Sequence, residues 1–179
     1  MIWIIGVFIL IFSGCQQEPQ ERHYTEIVIK ATEAKSNLAW QTPEGWQEVP
    51  GNGMRLASFQ LLNDQSSIDC SIVSLGGMAG GLEANLRRWM GQIGLEPSKE
   101  DFEQLMHSSQ SLQTQDGQTA KIYDFTSVQK NTQASAKSII AAMISMKDTT
   151  VFVKMTGSIE AIDQNREKFL DLVKSTHQR

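Results

Sequence analysis

Two apolar stretches, Ser138 to Met146 and Thr149 to Met155, are separated only by Lys147-Asp148. Both have strand length and a supply of Ile, Val and Thr, which favour a pleated, buried surface. A two-residue connection joins antiparallel strands, because parallel neighbours need a crossover of about a dozen residues. Gly157 and Ser158 follow, and then Ile159, Ile162, Phe169, Leu170 and Val173 fall on one face of a helix. Ser158 is placed to cap it. A helix with such a stripe has to bury it, and the hairpin beside it offers the surface. The end of the chain thus dictates an antiparallel sheet with a helix laid on it.

The middle of the chain extends the same plan. Leu38-Ala39-Trp40 leads to a turn at Pro43-Glu44-Gly45, and Pro50-Gly51-Asn52-Gly53 forms a stronger one. Arg55 to Leu61 then sets Ala57, Phe59 and Leu61 on one face at period two. Asn63-Asp64-Gln65-Ser66 supplies a hairpin loop, after which Ser67 to Leu75 alternates through Ile68, Cys70 and Ile72. Val73 and Leu75 occupy the other face, so this strand is expected to be covered on both sides.

The glycine run Gly76-Gly77-Met78-Ala79-Gly80-Gly81 breaks the β pattern. Leu82, Leu86, Trp89 and Ile93 then recur at helical spacing, and Gly94 stands where a left-handed cap is expected. A shorter helix spans Lys99 to Met106, with Phe102, Leu105 and Met106 inward. Gln115-Asp116-Gly117 turns the chain into a strand from Gln118 to Thr126, and residues 129 to 136 read as a polar loop. The expected class is α+β, an antiparallel β-sheet with helices packed on its faces.

The amino terminus is of another character. Met1 to Phe12 is an almost unbroken apolar run, and the first fourteen residues contain no charged side chain. As a helix, twelve residues extend only about 18 Å, short of the ~30 Å hydrocarbon core. That length suits the apolar region of an export signal. The sequence Phe12-Ser13-Gly14-Cys15 resembles the lipobox of bacterial lipoproteins, with Phe12 where Leu is usual and no Lys or Arg ahead of the run. A start codon upstream would supply the missing positive charge. The resemblance implies a signal peptide over residues 1–14, cleavage before Cys15 and acyl chains on that cysteine. Gln16 follows, where lipoproteins retained in the inner membrane commonly carry Asp, so the outer membrane, facing the periplasm, is expected. Residues 15–36 would be a polar tether, in which Tyr24 to Lys30 reads as a first strand or an apolar patch. The folded domain is expected over 37–179.

Within 179 residues of net charge -4 there is no basic footprint for nucleic acid. The three histidines, His23, His107 and His177, have no partner at ligand spacing, so no metal or cofactor is expected. No nucleophile elbow or zinc-protease motif occurs, and an enzyme is not expected. Cys70, between apolar neighbours, reads as a buried thiol. Trp40 and Trp46 are expected to cover one end of the core. The glycine run matches no nucleotide loop. It either lets the chain turn sharply or, with Gly80 and Gly81 opening a helix beside Asn85 and Arg88, contacts a ligand or anion.

Three motifs carry a wider resemblance. Trp40-x-x-Pro43-x-Gly45-Trp46, Met54-Arg55-x-Ala57-x-Phe59 and Asn85-x-x-Arg88-Trp89-x-x-Gln92-x-Gly94 are similar to a family of bacterial lipoproteins of unknown function. The Pro-x-Gly-Trp opening, the central helices and the closing strand-strand-helix unit resemble the PsbP-like fold, an α/β/α sandwich. That fold implies a non-catalytic binding or assembly module. The expected partners are the membrane, through acyl chains on Cys15, and an envelope protein or polymer. The alternative is a small-ligand sensor or enzyme using the Gly76–Gly81 loop.

Overall fold

The computed structural model describes residues 37–64, 67–77, 79–96, 98–129 and 136–179. Cys15, His23 and the stretch Tyr24 to Lys30 lie outside the described residues, as does most of the polar loop after Gln129.

The hairpin forms where its two-residue break demands. Strands β7 (Lys137–Ser145) and β8 (Thr149–Ser158) pair antiparallel along their length, and Met146 N donates to Thr149 O at 2.9 Å across the turn. Strand β8 also pairs with β4 (Ile68–Gly76), which pairs with β3 (Arg55–Leu61). On the outer side of β3 lies β2 (Trp46–Pro50). On the other flank β7 is followed by β6 (Thr119–Asp124) and β5 (Gln110–Gln113). The result is a seven-stranded antiparallel sheet in the order β2-β3-β4-β8-β7-β6-β5.

The central strands are apolar on both faces because both faces are covered. One face carries Ile72 of β4, Val151, Val153 and Met155 of β8, and Ile140 and Ile144 of β7. Helix α3 (Ile159–Ser175) packs there with Ile162, Phe169, Leu172 and Val173. The alternate residues Phe152, Ile139 and Ala141 face the other way, toward α1 (Leu82–Gln92) and α2 (Lys99–His107). Val73 and Leu75 pack on that second side as well, as the doubled alternation of β4 required. This is the α+β sandwich expected from the patterning.

Local chemistry sets the boundaries. The hydroxyl of Ser158 accepts from Ala161 N at 3.1 Å and starts α3, and Ser98 accepts from Asp101 N at 3.0 Å and starts α2. Gly157 is a steric requirement, since a Cβ there would lie 2.6 Å from Ser67 O.

Four differences from the sequence reading stand out. The strand expected to reach Thr126 ends at Asp124, and Phe125–Val128 forms a 3-10 turn. Asp124 Oδ1 accepts from Thr126 N at 3.0 Å, which offers the backbone a local bond in place of the ladder. No strand is expected between the turns at Pro43-Glu44-Gly45 and Pro50-Gly51-Asn52-Gly53, yet Trp46–Pro50 forms edge strand β2, a position at which a sheet tolerates Pro50. β5 is almost wholly polar, with only Leu112 packed against the core, so it has no apolar period to read. Finally, β1 (Leu38–Ala39) pairs with β9 (His177–Gln178) in a separate two-stranded sheet. It brings the two ends of the described chain together, with Arg179 N donating to Asn37 O at 2.7 Å.

Candidate functional site

The glycine loop between β4 and α1 has an unusual backbone. Gly77, Ala79, Gly80 and Gly81 all have positive φ, the last at +87°. Gly81 is the residue before α1 and has no side chain with which to cap it. The amides of the first helical turn therefore keep free hydrogens and a partial positive charge.

Asn85 and Arg88 hold this loop. Asn85 is 3% exposed, and its Nδ2 donates to Ala79 O at 2.9 Å and to Gly81 O at 2.6 Å. Its Oδ1 accepts from Arg88 Nη2 at 2.7 Å. The side chain reaches back one turn and fixes two loop carbonyls, while Arg88 fixes the side chain. Gly81 and Leu82 border an open cleft of about 450 Å³, whose described lining residues do not include Asn85 or Arg88.

The opposite side of that cleft comes from the sheet. Thr119, Lys121 and Tyr123 of β6 alternate onto one face, joined by Met143 and Ser145 of β7 and Thr150 of β8. Thr150 Oγ1 donates to Gly77 O at 2.8 Å and so ties the loop to this floor. Among the described residues the Lys121 ammonium has no ion pair or hydrogen-bond partner, and neither has the Tyr123 hydroxyl. Tyr123 is 1% exposed, and its hydroxyl is not among the sealed, unpaired polar atoms. The little surface this residue keeps therefore includes its hydroxyl. Burial raises the Tyr123 pKa above its ordinary value, so the group remains a hydrogen-bond donor at neutral pH. Period two places residues 119, 121 and 123 together in the sequence. That α1 begins beside them depends on the long-range pairing of β6 with β7.

A second cleft, of about 310 Å³, lies near α3 and is lined by Ser127, Asp124 and Arg166. Arg166 pairs there with Asp124 and also with Asp163. The Arg166 and Asp124 charges satisfy each other, while Glu167, also on the lining, has no ion pair among the described residues. At the far end of α1, Lys154 on β8 donates to Gln92 Oε1 at 2.9 Å. Its pKa is depressed, first by burial and then by the nearby Arg55 charge.

The remaining sequence candidates among the described residues are not on the lining of the cleft beside the start of α1. Cys70 is fully buried between β3 and β8, and burial pushes its thiol well above the ordinary range. His107 is exposed at the end of α2, and His177 Nδ1 lies 2.7 Å from Ser175 O. Among the described residues no cluster of His, Cys, Asp or Glu is placed to hold a metal ion. Nor is any described helix long and apolar enough to cross a membrane. Trp46 is 4% exposed, and both Trp46 and Trp40 pack on Phe59, with ring centroids 6.2 and 6.5 Å away.

No family model and no curated protein matches the sequence. Solved structures do match the fold. Cyanobacterial PsbP (CyanoP) from Synechocystis sp. PCC 6803 aligns at a TM-score of 0.51 and 14% identity, over 82% of this chain and 89% of that one. The fold is PsbP-like. Other matches include a protein from Bacteroides thetaiotaomicron VPI-5482, at a TM-score of 0.45 and 9% identity over 80% of this chain and 46% of that one. A protein of unknown function, PA94, from Pseudomonas aeruginosa aligns at 0.39 and 12% over 79% and 87%. At these identities the likeness concerns the fold alone.

Proposed function

We propose that this chain is a lipid-anchored envelope lipoprotein whose PsbP-like domain is a non-catalytic binding or assembly module. The observation that carries the reading is the uncharged apolar run of the first twelve residues, closed by Ser13-Gly14-Cys15. Export would place Cys15 outside the cytoplasm, where acylation of its thiol and new amine would attach the chain to a membrane. Each buried CH₂ contributes about 0.8 kcal/mol, so several chains hold a protein where one alone binds reversibly. Gln16 favours the outer membrane, periplasmic side, as the destination. The polar segment from Gln16 to His23 would let the domain search for an envelope protein or polymer partner.

A binding role also suits the domain. Its buried thiol is unsuited to nucleophilic chemistry, and Lys121 and Tyr123, whose polar ends have no partner among the described residues, line an open cleft. The test is metabolic labelling with an alkyne analogue of palmitate in the native host, comparing the natural chain with Cys15→Ala. Label on the natural chain and its absence from the variant support the anchor. Equal labelling, or none on either, would overturn it. Crosslinking in intact cells followed by mass spectrometry then identifies the partner.

A further inference from the structure

The geometry points to a binding site for a small organic anion in the cleft between the start of α1 and the strands β6, β7 and β8. The inference rests on the reading of the domain as a binding module and is independent of the anchor.

Three features converge. The start of α1 is uncapped, because Gly81 has no side chain, and Gly81 and Leu82 border the cleft. Free amides at a helix start favour negative charge, and their effect falls off within the first turn. Across the cleft stands Lys121, whose ammonium has no partner among the described residues. Most telling is Tyr123, which is 1% exposed, lines the cleft and has a hydroxyl that keeps some surface and has no partner among the described residues. A buried polar group normally finds a partner. A buried tyrosine satisfied only from the cleft side is what a ligand-facing donor looks like before the ligand arrives.

The ligand's chemistry follows from the lining. Amides, an ammonium and a phenol are all donors, so they converge on an acceptor with negative charge, a carboxylate or a phosphate. Glu83, the acid of the first turn of α1, is drawn to Arg87 Nε at 2.8 Å and so is partly neutralised. Leu82 and Met143 give the cleft an apolar side, and Ser145 gives it a polar rim. A compact ligand with an anionic head and an apolar body uses both. The volume, about 450 Å³, lies within the range of small-molecule sites.

This assignment differs from one built on Asn85 and Arg88. Those two side chains are spent on the loop carbonyls and on each other.

The test is calorimetric titration of the full chain in non-ionic detergent, against blank micelles, with benzoate, phenyl phosphate and neutral phenol. Saturable binding by either anion, without binding by phenol, is the expected result. Which anion binds identifies the head group. Lys121→Gln and Tyr123→Phe should each weaken binding about tenfold, as loss of a hydrogen bond to a charged group does. Lys168→Gln, an exposed position of α3 on the opposite face of the sheet, should leave it unchanged. Both cleft substitutions preserve side-chain bulk, and an unchanged thermal midpoint establishes that each variant is folded. Failure of both anions to saturate, equal binding of phenol, unchanged affinity in the two cleft variants, or an equal loss in Lys168→Gln would overturn the proposal. Such a failure leaves the labelling result at Cys15 untouched.

Discussion

The indole N–H of Trp46 on β2 donates to Oδ1 of Asn165 on α3 at 3.2 Å, joining the edge of the sheet to its closing helix across 119 residues of chain. Asn165 is buried, and its Nδ2 donates to Ala161 O at 2.9 Å, so the amide is held in one orientation. This bond fixes where an otherwise exposed edge strand sits. Trp46→Phe keeps most of the ring packing but leaves the Asn165 oxygen unmet, at a cost of about 1–3 kcal/mol. A double-mutant cycle with Asn165→Ala, followed by urea unfolding, should show a coupling of about 1 kcal/mol. Simple additivity would mean the bond does not form in solution.

The glycine loop should depend more on Asn85 than on Arg88. Asn85→Ala strands the carbonyl of Ala79, leaves Gly81 O only the backbone N–H of residue 85, and should cost about 1–3 kcal/mol. Gly81→Ala meets open space but is forced to φ +87°, and should cost a similar ~1–3 kcal/mol through backbone strain alone. Arg88→Gln should shift the thermal midpoint by much less than either. An Arg88 variant as unstable as the Asn85 variant would contradict this order.

Acid should weaken a tie between β3 and β4. Arg55 Nη1 and Nη2 bond the two Asp69 oxygens at 2.8 Å each, and this hydrogen bonding holds the Asp69 carboxyl below its ordinary value. A carboxyl depressed in the folded state stabilises it above the unfolded pKa, about 3.9, and loses that contribution as pH falls through the folded value. Both side chains are partly solvated, so the gain at neutral pH should stay below about 1 kcal/mol. Asp69→Asn should therefore lower stability slightly at pH 7, with the deficit shrinking below about pH 4. A deficit that grows on acidification would show the sign to be wrong.

The Cys70 thiol should be inert in the folded protein. It is fully buried, and burial keeps it protonated far above neutral pH. Labelling by a small disulfide reagent should proceed only as fast as the chain opens, and should accelerate sharply through the urea transition. Rapid labelling under native conditions would place the thiol elsewhere.

How much of this was readable in advance follows from burial. β3, β4, β7, β8 and α3 announce themselves because Phe59, Ile72, Val153 and Phe169 recur at the period of their element and all face one core. β5 and β2 sit at the edges, where most side chains meet water and the pattern disappears. The glycine loop was visible as a candidate, yet the sequence offered no way to tell that Asn85 points back into the loop. Lys121 and Tyr123 looked like ordinary alternating positions of a strand. Their standing comes from which part of the sheet face the helices leave open, and only the fold decides that.

The reading as a whole depends most on what becomes of the first fifteen residues in the cell. Intact-mass and amino-terminal peptide analysis of the chain extracted from native membranes measures this directly. The account predicts a protein that lacks residues 1–14 and begins at Cys15 with acyl groups on its thiol and amine. A chain that retains Met1, or an unmodified Cys15 thiol in a protein recovered from the aqueous fraction, would contradict it.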